Sequence, residues 1–152
     1  MGEVNNLVFS DTVSRPSYWA GICSCGVCKM GQLFDQPPRL ALMKALLKEA
    51  GEILRAMQAR ASQKRANPVF TDESLLALVL KATERVKESK SSMLQDIEAG
   101  RRTEIDYING YLVGHAKRLG IRCNNHRTIV EMVKQRQVIE NEHIWALFDM
   151  TK

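Results

Sequence analysis

The sequence has none of the short patterns by which a chain holds a nucleotide or builds a familiar hydrolytic site. It contains no G-x-G-x-x-G behind an apolar strand, no G-x-x-x-x-G-K-[ST], no H-E-x-x-H and no G-x-S-x-G. A glycine-rich turn is what lets backbone N–H groups close on a pyrophosphate, so nothing here binds a nucleotide by a loop of known type. Sustained apolar–polar alternation and hairpin turns between β-branched runs are also missing, which argues against a sheet. No apolar run reaches the roughly 20 residues that cross a bilayer. The start, "MGEVNNLVFSDTVSR", lacks the basic-then-apolar order of a secretory signal. The expectation is a soluble protein of the cytoplasm, with the mitochondrion as the alternative compartment and no membrane partner. Charge of one sign is not gathered either. The formal charge is +5, but Lys64, Arg65, Arg101 and Arg102 are interleaved with Glu73, Glu84, Glu98 and Glu104, the pattern of solvated helix faces. No nucleic-acid partner is expected.

What is present is helical periodicity. An apolar share of 45% in 152 residues suffices for one core. In "DQPPRLALMKALLKEAGEILRAM" a proline suits the first turn, and Leu40, Met43, Leu47, Ala50, Leu54 and Met57 recur at three-to-four spacing. Thr71 is placed to cap a second helix, with Asp72 and Glu73 favouring its positive end and Leu75, Leu76, Val79, Leu80, Thr83 and Val86 forming its stripe. A short segment with Met93, Leu94 and Ile97 is interrupted at Gly100. A third long helix is predicted from Thr103, with Asp106 in a capping-box-like position, Ile105, Ile108, Leu112, Ala116 and Leu119 inward, and Gly120 closing it. A last helix is predicted over about Thr128 to Phe148, with Ile129, Met132 and Val133 and the apolar end Ile144, Trp145 and Phe148 as its stripe, Met132, like Met93, being core filler. The fold class that follows is an all-α helical bundle of four or five helices. Residues 1–27 show no clear period and read as a divergent or irregular segment, leaving 28–152 as the domain.

The most distinctive stretch is "SSMLQDIEAGRRTEIDYINGYLVGHAKRLGI", residues 91–121. A serine-led segment ending in an aspartate, a glycine break and then T-E-I-D-x-x-N-G resembles the C-terminal helical domain of the ketopantoate reductase (2-dehydropantoate 2-reductase) family. The matching residues are Ser92, Met93, Gln95, Asp96, Thr103, Glu104, Ile105, Asp106, Asn109 and Gly110. Weaker similarity on either side extends it to roughly residues 28–140. The resemblance implies the bundle of 6-phosphogluconate-dehydrogenase-like reductases, paired in the family with an NADPH-holding Rossmann domain that this chain is expected to lack. It also implies reduction of ketopantoate to pantoate on the route to pantothenate, with ketopantoate as the small-molecule substrate. It places Glu104 as the catalytic-cleft carboxylate, Ser92 on the substrate's polar end and Asp96 on the same rim. The structural alternatives are that Ser92 caps the helix starting at Met93 and that Glu104 is one more acid in a first helical turn.

The family's proton donor is a helical lysine followed by asparagines, in a pattern like K-L-x-x-N-x-x-x-N-P. The corresponding stretch here is "SYWAGICSCGVCKMG", with no lysine before Cys23 and no asparagine. Lys29 falls in the joint that follows and receives no catalytic role. The domain alone is therefore expected to be inactive, with NADPH binding by this chain in doubt. The alternative function is a non-catalytic helical association module, a homo-oligomer formed by an apolar face left without its partner domain. Three thiols as C-x-C-x-x-C could hold zinc with a fourth donor from Cys123, His115, His126 or His143, but paired C-x-x-C knuckles are absent and no metal is assigned. His126 is read as a surface loop residue, and His115 and His143 as exposed helix positions.

Overall fold

The computed structural model describes residues 29–61 and 70–150. The readings placed on residues 1–28, including the thiol cluster, lie outside it. Six helices follow one another: α1 (Pro37–Ala61), α2 (Asp72–Arg85), α3 (Ser92–Glu98), α4 (Asn109–Leu119), α5 (Asn124–Lys134) and α6 (Ile144–Leu147), with 3-10 turns at Met30–Leu33 and Asn141–His143. Among the described residues there is no strand, and none of their helices is long and apolar enough to cross a membrane. The all-α expectation holds.

The bundle is organised on α1. At 25 residues it is about 37 Å long, and it packs against α2, α4, α5 and α6, while α4 and α5 also pack on each other. The expected stripe is present at Met43, Leu47, Ala50 and Leu54, but Leu42, Leu46 and Ile53 are equally buried. A single amphipathic face was too narrow a reading because neighbours surround this helix on more than one side.

Local chemistry sets several helix ends. The Thr71 hydroxyl accepts from Ser74 N at 3.2 Å, as expected of an N-cap. At the end of α3, Arg101 N donates to Asp96 O and Gly100 N to Ile97 O, a Schellman pair made possible by the left-handed Gly100, φ 71°. Gly120, φ 69°, closes α4 in the same way. The Met30–Leu33 turn is stitched to the segment after α2 by Met30 N to Ser89 O and Gly31 N to Lys87 O, at 3.0 and 2.9 Å. A Cβ on Gly31 would lie 3.1 Å from Lys87 Cβ, so the close approach needs glycine.

Three expectations are corrected. Leu80 and Trp145, assigned to apolar stripes, are 42% and 56% exposed. The helix predicted from Thr103 begins at Asn109; residues 104–108 form a wide turn in which Glu104 O accepts from Tyr107 N and Ile108 N, and Ile105 O from Gly110 N. Asp106 does not serve a capping box, because its carboxylate faces Lys134 Nζ at 2.6 Å. The single helix predicted over 128–148 is two. The first starts earlier, at Asn124, and ends where Arg136 takes a left-handed φ of 54°; an extended stretch with buried Ile139 then leads to α6.

Candidate functional site

The residues assigned to the cleft lie on α3 and on the turn that joins it to α4. Ser91, not Ser92, caps α3: its hydroxyl is buried and accepts from Leu94 N at 3.1 Å. That leaves Ser92 as the exposed first residue of the helix, with its hydroxyl uncommitted to capping. Asp96 stands one turn further along, where its carboxylate accepts from Arg101 Nε at 2.8 Å. Glu104 is exposed in the wide turn, and its side chain makes no hydrogen bond or ion pair with the described residues. Thr103, a neighbour of Glu104, lines an open cleft of about 450 Å³ together with Ile97, Arg101, Arg102, Lys134 and Arg136. Cations outnumber acids along this rim. Arg136 donates to Gly100 O at 2.7 Å, and Lys134 is held by Asp106. Ser92, Asp96 and Glu104 thus lie on one short stretch of chain; Asp96 bonds Arg101 of the basic cleft and Glu104 stands between Thr103 and Ile105 that line it, while none of the three lines it directly.

A second constellation was missed from the sequence. Glu49, on α1, reaches the start of α5, where one oxygen accepts from Asn125 N at 2.9 Å and the other from His126 N at 3.1 Å. The His126 imidazole meets the same carboxylate, Nδ1 to Oε2 at 2.8 Å. The Cys123 thiol lies beside them, one ligand atom from each of Glu49, Cys123 and His126 falling within 4.8 Å of the others. Cys123, at the N-cap position, contributes no cap of its own, so the free N–H groups of α5 are satisfied by a carboxylate 76 residues away in sequence. Burial works against the Glu49 charge, yet the hydrogen bond and attraction of His126, joined by the two backbone N–H groups, hold its carboxyl below the ordinary range. Burial, followed by the nearby Glu49 carboxylate, pushes the Cys123 thiol up to about 12.

His126 is therefore not a surface loop residue: it is fully buried in the first turn of α5. Asn125 beside it is buried too and exchanges hydrogen bonds with the backbone of Asp149, both at 2.8 Å, which ties the C-terminal segment to this helix start. Glu49 escaped notice because "LKEAG" in an amphipathic helix reads as a solvated charge. The available signal was Cys123-x-x-His126 opening an apolar helix that has no capping side chain of its own. Of the other histidines, His143 is exposed in a 3-10 turn, while His115 is half-buried against Tyr111, ring centres 4.4 Å apart.

These features define an all-α helical domain with one long central helix, an open polar rim and a buried carboxylate-capped junction. The chain belongs to the ketopantoate reductase family as its C-terminal domain: the family model described as "Ketopantoate reductase PanE/ApbA C terminal" matches residues 16–137. It is 31% identical over 109 residues to a 2-dehydropantoate 2-reductase of Pyrococcus horikoshii, covering 72% of this chain and 33% of that protein. It is 45% identical over 56 residues to one of Archaeoglobus fulgidus, covering 37% of this chain and 19% of the relative. A crystal structure described as probable 2-dehydropantoate 2-reductase panE from Bacillus subtilis superposes with a TM-score of 0.69 at 26% identity, over 84% of this chain and 39% of that one. The chain thus spans well under half the length of these relatives.

Proposed function

We propose that this domain provides the substrate-side wall of a 2-dehydropantoate 2-reductase, with Glu104 as the catalytic-cleft carboxylate and Ser92 as a substrate-binding group. The observation that carries this reading is the T-E-I-D-x-x-N-G turn, which in this fold leaves Glu104 exposed and unpaired beside a cleft of Arg101, Arg102, Lys134 and Arg136. An exposed carboxylate with no structural partner is available to accept a hydrogen bond from a substrate hydroxyl or to support a proton donor. The Ser92 hydroxyl, relieved of capping by Ser91, can donate to a ligand oxygen. The surrounding cations suit the carboxylate of a 2-keto acid. Asp96, being engaged by Arg101, acts by holding that guanidinium at the cleft rather than by touching substrate.

The described residues do not fit the nicotinamide cofactor that the family implies. They include no strand and no glycine-rich turn to cradle its pyrophosphate. The domain by itself is proposed to be inactive, a cytoplasmic partner in a reaction on the route to pantothenate. The test is an NMR titration of the chain with ketopantoate. Shifts at Ser92 and Glu104 that vanish in Glu104→Gln support the reading, and an unchanged spectrum at saturating ligand overturns it.

A second reading, a helical association module, is favoured by the exposed apolar side chains. Tyr107 is 75% exposed, Val138 62% and Trp145 56%, large apolar side chains that an association face could cover. Sedimentation that shifts with concentration, together with no ketopantoate response, would favour self-association.

A further inference from the structure

We infer that Glu49, Cys123 and His126 form a binding site for a single zinc-class divalent cation, independent of the cleft at Glu104. One ligand atom from each residue lies within 4.8 Å of the other two. Cys123 and His126 are buried, and the Glu49 side chain is only 14% exposed. Zinc bonds of about 2.3 Å to sulfur and about 2.0 to 2.1 Å to nitrogen and oxygen set tetrahedral donor separations of roughly 3.3 to 3.7 Å. The donor atoms stand within 4.8 Å of one another, with His126 Nδ1 2.8 Å from Glu49 Oε2.

The donor set matches borderline-soft divalent ions. A thiolate, an imidazole and a carboxylate together favour zinc or cobalt over magnesium or calcium, which prefer oxygen alone. Cys123 and His126 stand three residues apart at the start of α5, a spacing that brings both side chains to one side of the first turn. Glu49 approaches from α1.

A helix cap needs a carboxylate and two backbone N–H groups; it does not need a thiol and an imidazole converging on the same oxygens. In the metal-free cluster a proton occupies the place of the cation: the His126 ring meets the Glu49 carboxylate, with the Cys123 thiol within 4.8 Å of both. On binding, the thiol releases its proton to solvent, and the neutral imidazole changes tautomer, the proton that faced Glu49 leaving Nδ1 while Nε2 takes one up from solvent, so that Nδ1 is free to ligate. One dication, one thiolate and one carboxylate then sum to zero charge, which is what a buried site tolerates. Glu49 Oε1 keeps the Asn125 N–H throughout, so the former cap becomes an outer-shell support for a ligand. A water completes the fourth position.

Three further thiols lie at Cys23, Cys25 and Cys28, and the test must separate them. The full chain carrying Cys23→Ser, Cys25→Ser and Cys28→Ser is titrated with Co2+ under reducing conditions, following sulfur-to-cobalt charge transfer in the near ultraviolet and the visible bands of tetrahedral cobalt. In this variant Cys123 is the one remaining thiol. Both signals saturating at one equivalent, displaced by Zn2+ and lost on His126→Asn, whose amide can still hydrogen-bond Glu49, is the expected result. A folded variant, verified by circular dichroism, that shows no sulfur-to-cobalt band at saturating Co2+ overturns the site. So does a band that His126→Asn leaves unchanged.

Discussion

The two polar regions of this domain are built on opposite principles. At the junction of α1 and α5, Glu49, Asn125 and His126 are withdrawn from water and bonded to one another or to backbone, with Cys123 buried beside them. At the rim, Ser92 and Glu104 face solvent, and neither holds the fold together. A buried polar group left without a partner carries the full cost of its desolvation, whereas an exposed one falls back on water. The junction should therefore resist change for reasons of stability, and the rim should be free to serve a ligand.

The sharpest way to break that contrast is Glu49→Ala. It removes a carboxylate from two backbone N–H groups and the His126 ring together, and should cost about 3 kcal/mol or more, read as a fall in urea midpoint with the slope unchanged. A loss below about 1 kcal/mol would mean that the junction is no more demanding than the surface.

Acid should find the same weak point. The Glu49 carboxyl is held below its ordinary 4.5 in the fold, so the stability it contributes is fully present above the unfolded value. It is lost as pH falls through the folded one. Urea midpoints measured from pH 7 down to pH 3 should drop more steeply for the natural chain than for Glu49→Gln. The Cys123 thiol has the opposite sign: raised from 9.0 to about 12, it contributes stability that is complete below 9 and declines as pH rises beyond it. At pH 8, iodoacetamide should modify Cys123 only after unfolding, as peptide mass spectrometry would register.

Two adjacent serines sharpen the comparison at its smaller end. Ser91→Ala removes the α3 cap and should cost about 1 kcal/mol, while Ser92→Ala and Glu104→Gln should each stay within about 0.5 kcal/mol. If the proposed function holds, ketopantoate binding ranks them the other way: Ser92→Ala and Glu104→Gln weaken it, and Ser91→Ala acts only through folding. The smallest effect is expected at Arg136, whose left-handed φ of 54° favours glycine while its guanidinium bonds Gly100 O. Arg136→Gly relieves the first and loses the second, so the thermal midpoint should move little.

Those pairs also mark how far the sequence could be read. The cap at Thr71, the glycine stops at Gly100 and Gly120, and the apolar periods of α1 and α2 were legible, because each depends on residues within one or two helical turns. The rim was legible only as a motif: T-E-I-D-x-x-N-G pointed to Glu104, but that Asp106 would turn to Lys134 and delay α4 until Asn109 depends on a residue 28 positions away. The same distance effect hid the true start of α5. With Cys123 at the N-cap, the local chemistry gave no reason for a helix to begin there; the reason lies on α1.

The sequence by itself determined that this protein is all-α, that a helix begins after Thr71 and helices stop at Gly100 and Gly120, and which family its central motif resembles. Periodicity and capping are local, and hydrophobic burial needs no particular partner. Only the tertiary structure decided that Glu49 caps α5, that His126 is interior, that Ser91 rather than Ser92 closes α3, and that Leu80 and Trp145 face water. Those outcomes depend on which groups meet across the bundle, where a hydrogen bond or charge counts only once its partner has been brought within reach and water has been removed.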